Sequence, residues 1–275
     1  MTIKLIATDL DGTFVDDQKQ FLDANIRAFE ECAEQGIQMV PATGRTVVGI
    51  PDEIRNLPGV RYAITSNGAS VIDLETGQTI SSSRLSVEIA VKIMEIARDS
   101  EDDIMYDAYV DGIGYTKQIF WDNLSKYVPN QGILDLVRKT RKPVQDNIAY
   151  IKENGVPADK INMFFIEEDA RVRMRKTLAE IPGILVTSSL SNNLEINAPG
   201  ANKGDALLQL AEYLGIKQEE TMAFGDGEND ITMLRMAGIG VAMGNAESSV
   251  KAAADYVTIT NNDAGVAAAI RKFVL

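Results

Sequence analysis

Histidine is absent from all 275 residues. Without imidazole there is no Ser-His-Asp triad, no histidine phosphatase and no zinc or iron site built on histidine nitrogens. Cysteine occurs once, as Cys32, which excludes an intrachain disulfide and a thiolate metal cluster. It lies in the helical stretch "ANIRAFEECAEQG", with no arginine at the spacing a cysteine phosphatase needs, so it reads as a small buried hydrophobe. Basic residues are few: 27 Lys and Arg against 40 Asp and Glu leave a net charge of −13. That balance argues against a nucleic-acid backbone or an anionic membrane as the main partner. No segment approaches the ~18 apolar residues of a membrane span, and no signal-peptide pattern precedes the first strand, so the expected compartment is the cytoplasm. GxxxxGK[ST] does not occur, and "GIGVAMG" and "GDGEND" only approach GxGxxG, too late in the chain to open a dinucleotide-binding domain. Repeats and low-complexity tracts are missing as well. Polar chemistry here falls to carboxylates, lysine, hydroxyls and a hard, oxygen-bound metal.

What is present is an ordinary globular composition, 45% hydrophobic and 24% charged, long enough for one large domain or two. The first eighty or so residues alternate strand and helix: "KLIAT", a helix over 23–35 stopped by Gly36, "IQMV", a helix over 46–56 and "YAIT". The same alternation returns at the end, with helices over 203–214, 231–237, 246–254 and 264–273 between strands "TMAF", "GIGVAM" and "YVT". Strands separated by helices of this length predict parallel βαβ units. The middle differs: helices over 86–98, 119–139 and 169–180 mix with "IMYDAYVDGIGY", "INMFFIE" and "ILVTSS" between the polar junctions "SSSRLS" and "SSLSNN". The expected fold is α/β, a Rossmann-like parallel-sheet core formed by residues 1–83 and 190–275 with an α+β domain inserted over 84–189.

Ligands of an open parallel sheet bind beyond the carboxyl ends of its strands. Four polar clusters fall at such ends or at neighbouring helix starts: Asp9 and Asp11 in "DLDGT"; Thr43, Gly44 and Arg45 in "ATGR"; Lys203 in "NKGDAL"; and Asp226, Glu228, Asn229 and Asp230 in "GDGEND". Two carboxylates ~4 Å apart at an effective dielectric of ~20 repel by roughly 4 kcal/mol, which calls for a positive partner. Lys203 opens a helix, where a cation opposes the helix dipole unless an anion sits between them. Acidic residues crowded into a loop after an apolar strand suit a hard cation with oxygen ligands, and Mg²⁺ fits best if water and phosphate complete its shell.

These four motifs, in this order and approximate spacing, resemble those of the haloacid dehalogenase superfamily of phosphohydrolases, specifically its Cof-type branch with a type II cap between the second and third motifs. The resemblance covers essentially the whole chain. It implies that Asp9 is the nucleophile that becomes an aspartyl phosphate, and that Asp11 is the general acid and then the base. It implies a Mg²⁺ held by the Asp9 carboxylate, the Asp11 backbone carbonyl and the Asp226 carboxylate. Leu10, Thr43, Gly44, Lys203 and Asn229 are then expected to hold the substrate phosphate, with Asp230 orienting Lys203 or a metal-bound water and Glu228 solvated. The implied activity is Mg²⁺-dependent hydrolysis of small phosphorylated metabolites such as sugar phosphates, with selectivity lying in the inserted domain. Arg84, Tyr106, Tyr109, Tyr115 and Trp121 lie there, but aromatics on strands usually serve the core.

Two other readings use similar residues. A sugar phosphomutase shares the aspartyl phosphate and returns the phosphoryl group to the sugar. A phosphoacceptor module would carry adjacent acids, a later acceptor strand and no inserted domain, and a scaffold that only binds is at odds with intact nucleophile, acid and lysine positions.

Overall fold

The computed structural model describes residues 2–128 and 130–275. The chain divides into two compact units, one of Met1–Arg45, Ile50–Ser82 and Gly200–Leu275 and the other of Thr46–Gly49 and Ser83–Pro199.

β1 (Leu5–Thr8) is buried along its length because apolar layers cover both faces of its sheet. Ile6 packs with Phe14, Phe29, Met39 and Phe224 on one side, whereas Leu5 and Ala7 pack with Val40, Leu207 and Ala223 on the other. A strand covered on both faces reads as a continuous apolar run, which "LIAT" is. The helix Asp23–Glu34 turns Ala28, Phe29 and Cys32 inward and leads to β2 (Gln38–Pro41), parallel to β1. Burial pushes the Cys32 thiol up to about 11, as befits an inert packing residue.

The sequence expectation fails between residues 46 and 56. A 3₁₀ turn at Val47–Gly49 and a four-residue helix at Asp52–Arg55 replace the single helix. Pro51 stands between them; it has no N–H to donate and biases Ile50 away from helical geometry. β3 (Tyr62–Thr65) is a strand as expected, but its partner is antiparallel β4 (Ser70–Asp73), which in turn pairs with β5 (Thr79–Ser82). Among the described residues one parallel bridge, Ala42 to Ile64, joins β3 to the residue just past β2. A short apolar run identifies a strand without saying which neighbour it pairs with.

In the second unit, β6 (Ile104–Val110), β7 (Ile113–Lys117), β8 (Arg141–Val144), β9 (Lys160–Phe165), β10 (Leu185–Thr187) and β11 (Asn193–Asn197) form one sheet in the order β10-β11-β9-β6-β7-β8. Its pairs are antiparallel except β7 with β8. Helices Val87–Arg98 and Glu168–Ala179 stand where their apolar spacing predicts. The helix expected over 119–139 is instead three pieces, Gln118–Trp121, Leu124–Tyr127 and Gln131–Thr140, and Pro129 within that span lies outside the described residues. Helix Asn147–Asn154 and strands β8 and β11 had no sequence signal strong enough to read. β8 is "RKPV", and β11, "NLEIN", alternates buried polar with apolar residues. β11 also lies past residue 189, held in this sheet by its ladder to β9.

Back in the first unit, helix Lys203–Tyr213 leads to β12 (Thr221–Gly225), followed by β13 (Ile239–Ala242) and β14 (Tyr256–Val257). The helix expected over 246–254 shortens to Ser248–Lys251, and Gly265–Phe273 closes the chain. The parallel sheet runs β14-β13-β12-β1-β2. β1 is therefore where the order reverses, with β2 on one side and β12 on the other, and the crevice beyond such a switch point is where open α/β sheets bind ligands. No helix among the described residues is long and apolar enough to cross a membrane.

Candidate functional site

The loop after β1 carries Asp9 through Thr13. Its turn is set by the Leu10 carbonyl, which accepts from the N–H groups of Thr13, Phe14 and Val15 while the Leu10 side chain is buried. Asp9 is anchored by its own N–H to Phe224 at the end of β12. Its carboxylate accepts from Lys203 Nζ at 2.7 Å, and the same ammonium donates to Asp230 at 2.6 Å. Lys203 is wholly buried. The two anions compensate for its unfavourable place at a helix start and hold its ammonium above the ordinary lysine range despite burial.

Asp230 has both oxygens engaged: Oδ1 with Lys203, and Oδ2 with the backbone N–H groups of Asp226 and Gly227 at 3.0 and 2.9 Å. That chelate closes the "GDGEND" loop and turns Asp226 back toward β1. Thr13 Oγ1 donates to Asp226 Oδ1 at 2.6 Å. The approach is close enough that a Cβ on Gly12 would lie 2.5 Å from Asp226 Oδ2, so the glycine of "DLDGT" is required by space as well as by its φ of +85°.

Asp9, Asp226 and Asp230 can bring one ligand oxygen each within 4.8 Å of one another. Three carboxylates against one ammonium leave the cluster short of positive charge. The consequence appears in their acidities: burial first, then the neighbouring carboxylates, raises Asp9 well above the usual carboxylate range against the pull of Lys203. Burial and the Asp230 charge push Asp226 up to about 7. Among the described residues, Oδ2 of Asp9 and Oδ2 of Asp226 accept no protein hydrogen bond. An all-oxygen, electron-rich, under-compensated cluster with two unused carboxylate oxygens fits a hard divalent cation such as Mg²⁺.

Asp11 lies apart from this cluster in its contacts. Arg45 grips its carboxylate at two points, 2.8 and 2.7 Å, and Lys19 donates to it at 2.8 Å. Burial alone would raise its pKa, but the two cations outweigh it and bring the group down to about 2. The two acids of "DLDGT" therefore titrate in opposite directions, although two residues apart.

Thr43 is buried at the end of β2, its Oγ1 accepting from the Arg45 N–H at 3.1 Å. Gly44 lies between them in the same turn. Asn229 is nearly buried and donates from Nδ2 to Asn67 Oδ1 at 3.0 Å. Glu228 is exposed. The structure thus brings Asp9, Lys203, Asp226 and Asp230 into direct contact or close approach, and gives Asp11 a separate, cationic setting.

Four participants had no assigned role in sequence. Thr13 and Asn67 are fully buried polar residues, Arg45 belongs to "ATGR" without an obvious duty there, and Lys19 sits in an ordinary polar loop. Asn67 lies in the run "SNGA" that follows an apolar strand, and nothing in sequence distinguishes Lys19.

Comparison with known proteins gives matches over nearly the whole chain. The haloacid dehalogenase-like hydrolase family matches residues 6–270. The 5-amino-6-(5-phospho-D-ribitylamino)uracil phosphatase YcsE of Bacillus subtilis is 33% identical over 99% of this chain and 96% of its own length. The pyridoxal phosphate phosphatase YbhA of Escherichia coli is 29% identical over 97% of each chain. A solved structure of a HAD subclass IIB sugar phosphatase superposes with a TM-score of 0.83 at 28% identity, covering 98% of both chains. With a match that spans the parallel sheet, the acidic loops and the segment between them, the chain belongs to the haloacid dehalogenase-like hydrolase family.

Proposed function

We propose that this protein is a Mg²⁺-dependent phosphatase of small phosphorylated metabolites that works through an aspartyl phosphate on Asp9. The observation that carries the reading is the buried Asp9–Lys203–Asp230 chain beside Asp226, in a family whose similar members are named as phosphatases. Asp9 and Asp226 would hold Mg²⁺ through their carboxylates and Asp11 through its backbone carbonyl. When bound, the ion neutralises the charge that otherwise keeps a carboxylate from approaching a phosphate dianion.

In the first step an Asp9 carboxylate oxygen forms a bond to phosphorus as the ester P–O bond breaks, and the leaving alkoxide takes a proton from Asp11. In the second, Asp11 takes a proton from water as the hydroxyl oxygen bonds to phosphorus and the P–O bond to Asp9 breaks, releasing inorganic phosphate. Lys203, the Leu10 and Gly44 amides, Thr43 and Asn229 would hold the other phosphate oxygens, with Asp230 keeping the ammonium in place. The Arg45 and Lys19 contacts leave Asp11 ionised, the state its second role requires. Its first role requires that the carboxyl turn away from those cations and gain a proton as anionic substrate competes for them. The unit that includes Ser83–Pro199 would act as the cap that selects the leaving group.

The test is hydrolysis of p-nitrophenyl phosphate and a panel of several dozen metabolite esters, with Mg²⁺ and with EDTA. The reading expects turnover only with the metal and a preference among sugar or similar monoesters; full activity after chelation would sink it.

A further inference from the structure

The turn after β3 has a backbone that chains rarely adopt. Ser66, Asn67 and Gly68 have φ of 50°, 60° and 94°, three successive left-handed residues of which two carry side chains. Runs of this kind persist only where surrounding contacts over-determine them, and they concentrate at functional sites. Here the contacts can be named. The Ser66 N–H donates to the Arg45 carbonyl at 2.9 Å and the Asn67 N–H to the Thr43 carbonyl at 3.1 Å. Gly68 lies against the start of the Lys203 helix, so close that a Cβ would be 2.3 Å from the Asn202 carbonyl oxygen. The Asn67 side chain, 2% exposed, accepts from Asn229 Nδ2 across 162 residues of sequence.

One strained turn therefore touches the "ATGR" loop, the helix that begins at Lys203, and the "GDGEND" loop, which are otherwise carried on separate strands and helices. We infer that Asn67 is a positioning residue for phosphate binding: its side-chain oxygen holds the Asn229 amide so that the second Nδ2 hydrogen faces the substrate phosphate, while its backbone N–H fixes the Thr43 end of the same cradle. A primary amide has two donor hydrogens, and an acceptor that engages one of them sets both the flip and the rotation of the group. The inference rests on the reading of Asn229 and Thr43 as phosphate ligands.

Asn67→Gly removes the acceptor and tolerates the left-handed backbone, so the fold is expected to survive. With p-nitrophenyl phosphate as substrate and inorganic phosphate as competitive inhibitor, this variant should raise KM and the phosphate inhibition constant by about tenfold, the scale of one lost hydrogen bond, with kcat changed far less. Asn229→Ala should do the same, and the double variant should bind phosphate within about twofold of Asn229→Ala alone, because Asn67 acts through Asn229. Additive losses, or unchanged phosphate inhibition in Asn67→Gly beside weakened inhibition in Asn229→Ala, overturn the positioning role and leave the ligand reading standing. Unchanged inhibition in Asn229→Ala defeats the ligand reading and this inference together. One measurement needs no variant: the Asn229 side-chain amide resonances of the wild-type protein should move on titration with inorganic phosphate, and still resonances overturn the proposal.

Discussion

Both units bury charge, but they do so differently. In the six-stranded sheet the buried charges come in matched pairs on one face: Arg141 with Asp107 at 2.6 Å, and Lys160 with Glu195. The Tyr109 ring lies 5.2 Å from the Arg141 guanidinium and 5.1 Å from the Lys160 ammonium, which further satisfies the cations. In the parallel-sheet unit, three acids crowd one lysine beyond the strand ends, and two of those acids are driven up in pKa. A matched buried pair is complete in itself and is part of the architecture. An unmatched cluster is held at a cost until something arrives, and that difference separates a structural network from a candidate site.

The comparison can be broken most sharply at Asp9. Asp9→Asn should lower turnover by on the order of 10⁴-fold or more, because an amide cannot form the acyl phosphate. The melting temperature should stay unchanged or rise, since one of the crowded charges is gone. Asp11→Asn should lose ~10²–10⁴-fold on alkyl phosphates yet release a burst of p-nitrophenol from the aryl ester, because that leaving group needs no proton. Acid-quenched Asp11→Asn should carry one added phosphoryl group on Asp9 by intact mass. A variant of Asp9 with wild-type turnover would mean that the unmatched cluster is no active site, and one of Asp11 with wild-type rates on alkyl esters would mean that Asp11 is not the acid.

The matched pairs should respond in the opposite way. Asp107→Ala leaves Arg141 buried without its partner and should destabilise by roughly 3–5 kcal/mol in denaturant unfolding, whereas Asp107→Leu with Arg141→Met should recover most of that loss. Recovery by the double variant would mark the pair as architecture; a double variant as unstable as the single one would argue that the pair does more than neutralise itself.

The smallest effect is a pH dependence. Asp226 titrates near 3.8 unfolded and at about 7 folded, and Asp9 is shifted the same way. Between pH ~4 and ~7 the folded protein thus keeps protons that the unfolded chain has lost, so stability falls as pH rises through that window. Asp11, lowered to about 2, contributes the other way, and its share is lost only as pH falls below ~4. In EDTA the melting temperature should drop by several degrees from pH 5 to pH 8, and Mg²⁺ should restore it most at the higher pH. A melting temperature that is flat in EDTA and blind to Mg²⁺ would remove the case for a metal cluster.

Legibility in the sequence followed the range of the interaction. The apolar stripe of Lys203–Tyr213 and the run "LIAT" report burial through local spacing, and both elements stand where they read. The segment 46–56 did not, because its short polar and apolar alternation looks helical until Pro51 is given its steric weight. β11 carries no sequence signal strong enough to read, because Asn193, Glu195 and Asn197 are buried although polar, paired with groups that sequence does not place beside them. At the site, the acidic residues were visible as motifs, but Thr13 on Asp226 and Asn67 on Asn229 were not, since a lone hydroxyl or amide in a loop is ordinary until its partner is known.

The residue inventory alone determined that no imidazole chemistry and no thiolate cluster are available, and the order of motifs on alternating strands and helices pointed to the parallel sheet and the polar loops that follow β1, β2 and β12. Tertiary structure decided the rest: that β3 turns from the parallel sheet to pair with β4, that Arg45 and Lys19 hold Asp11 ionised while Asp9 is pushed the other way, and that Asn67 meets Asn229. Local periodicity reports only which face of an element is buried. Charge compensation and hydrogen-bond partners depend on which distant segments packing brings together, and that is set by the whole chain at once.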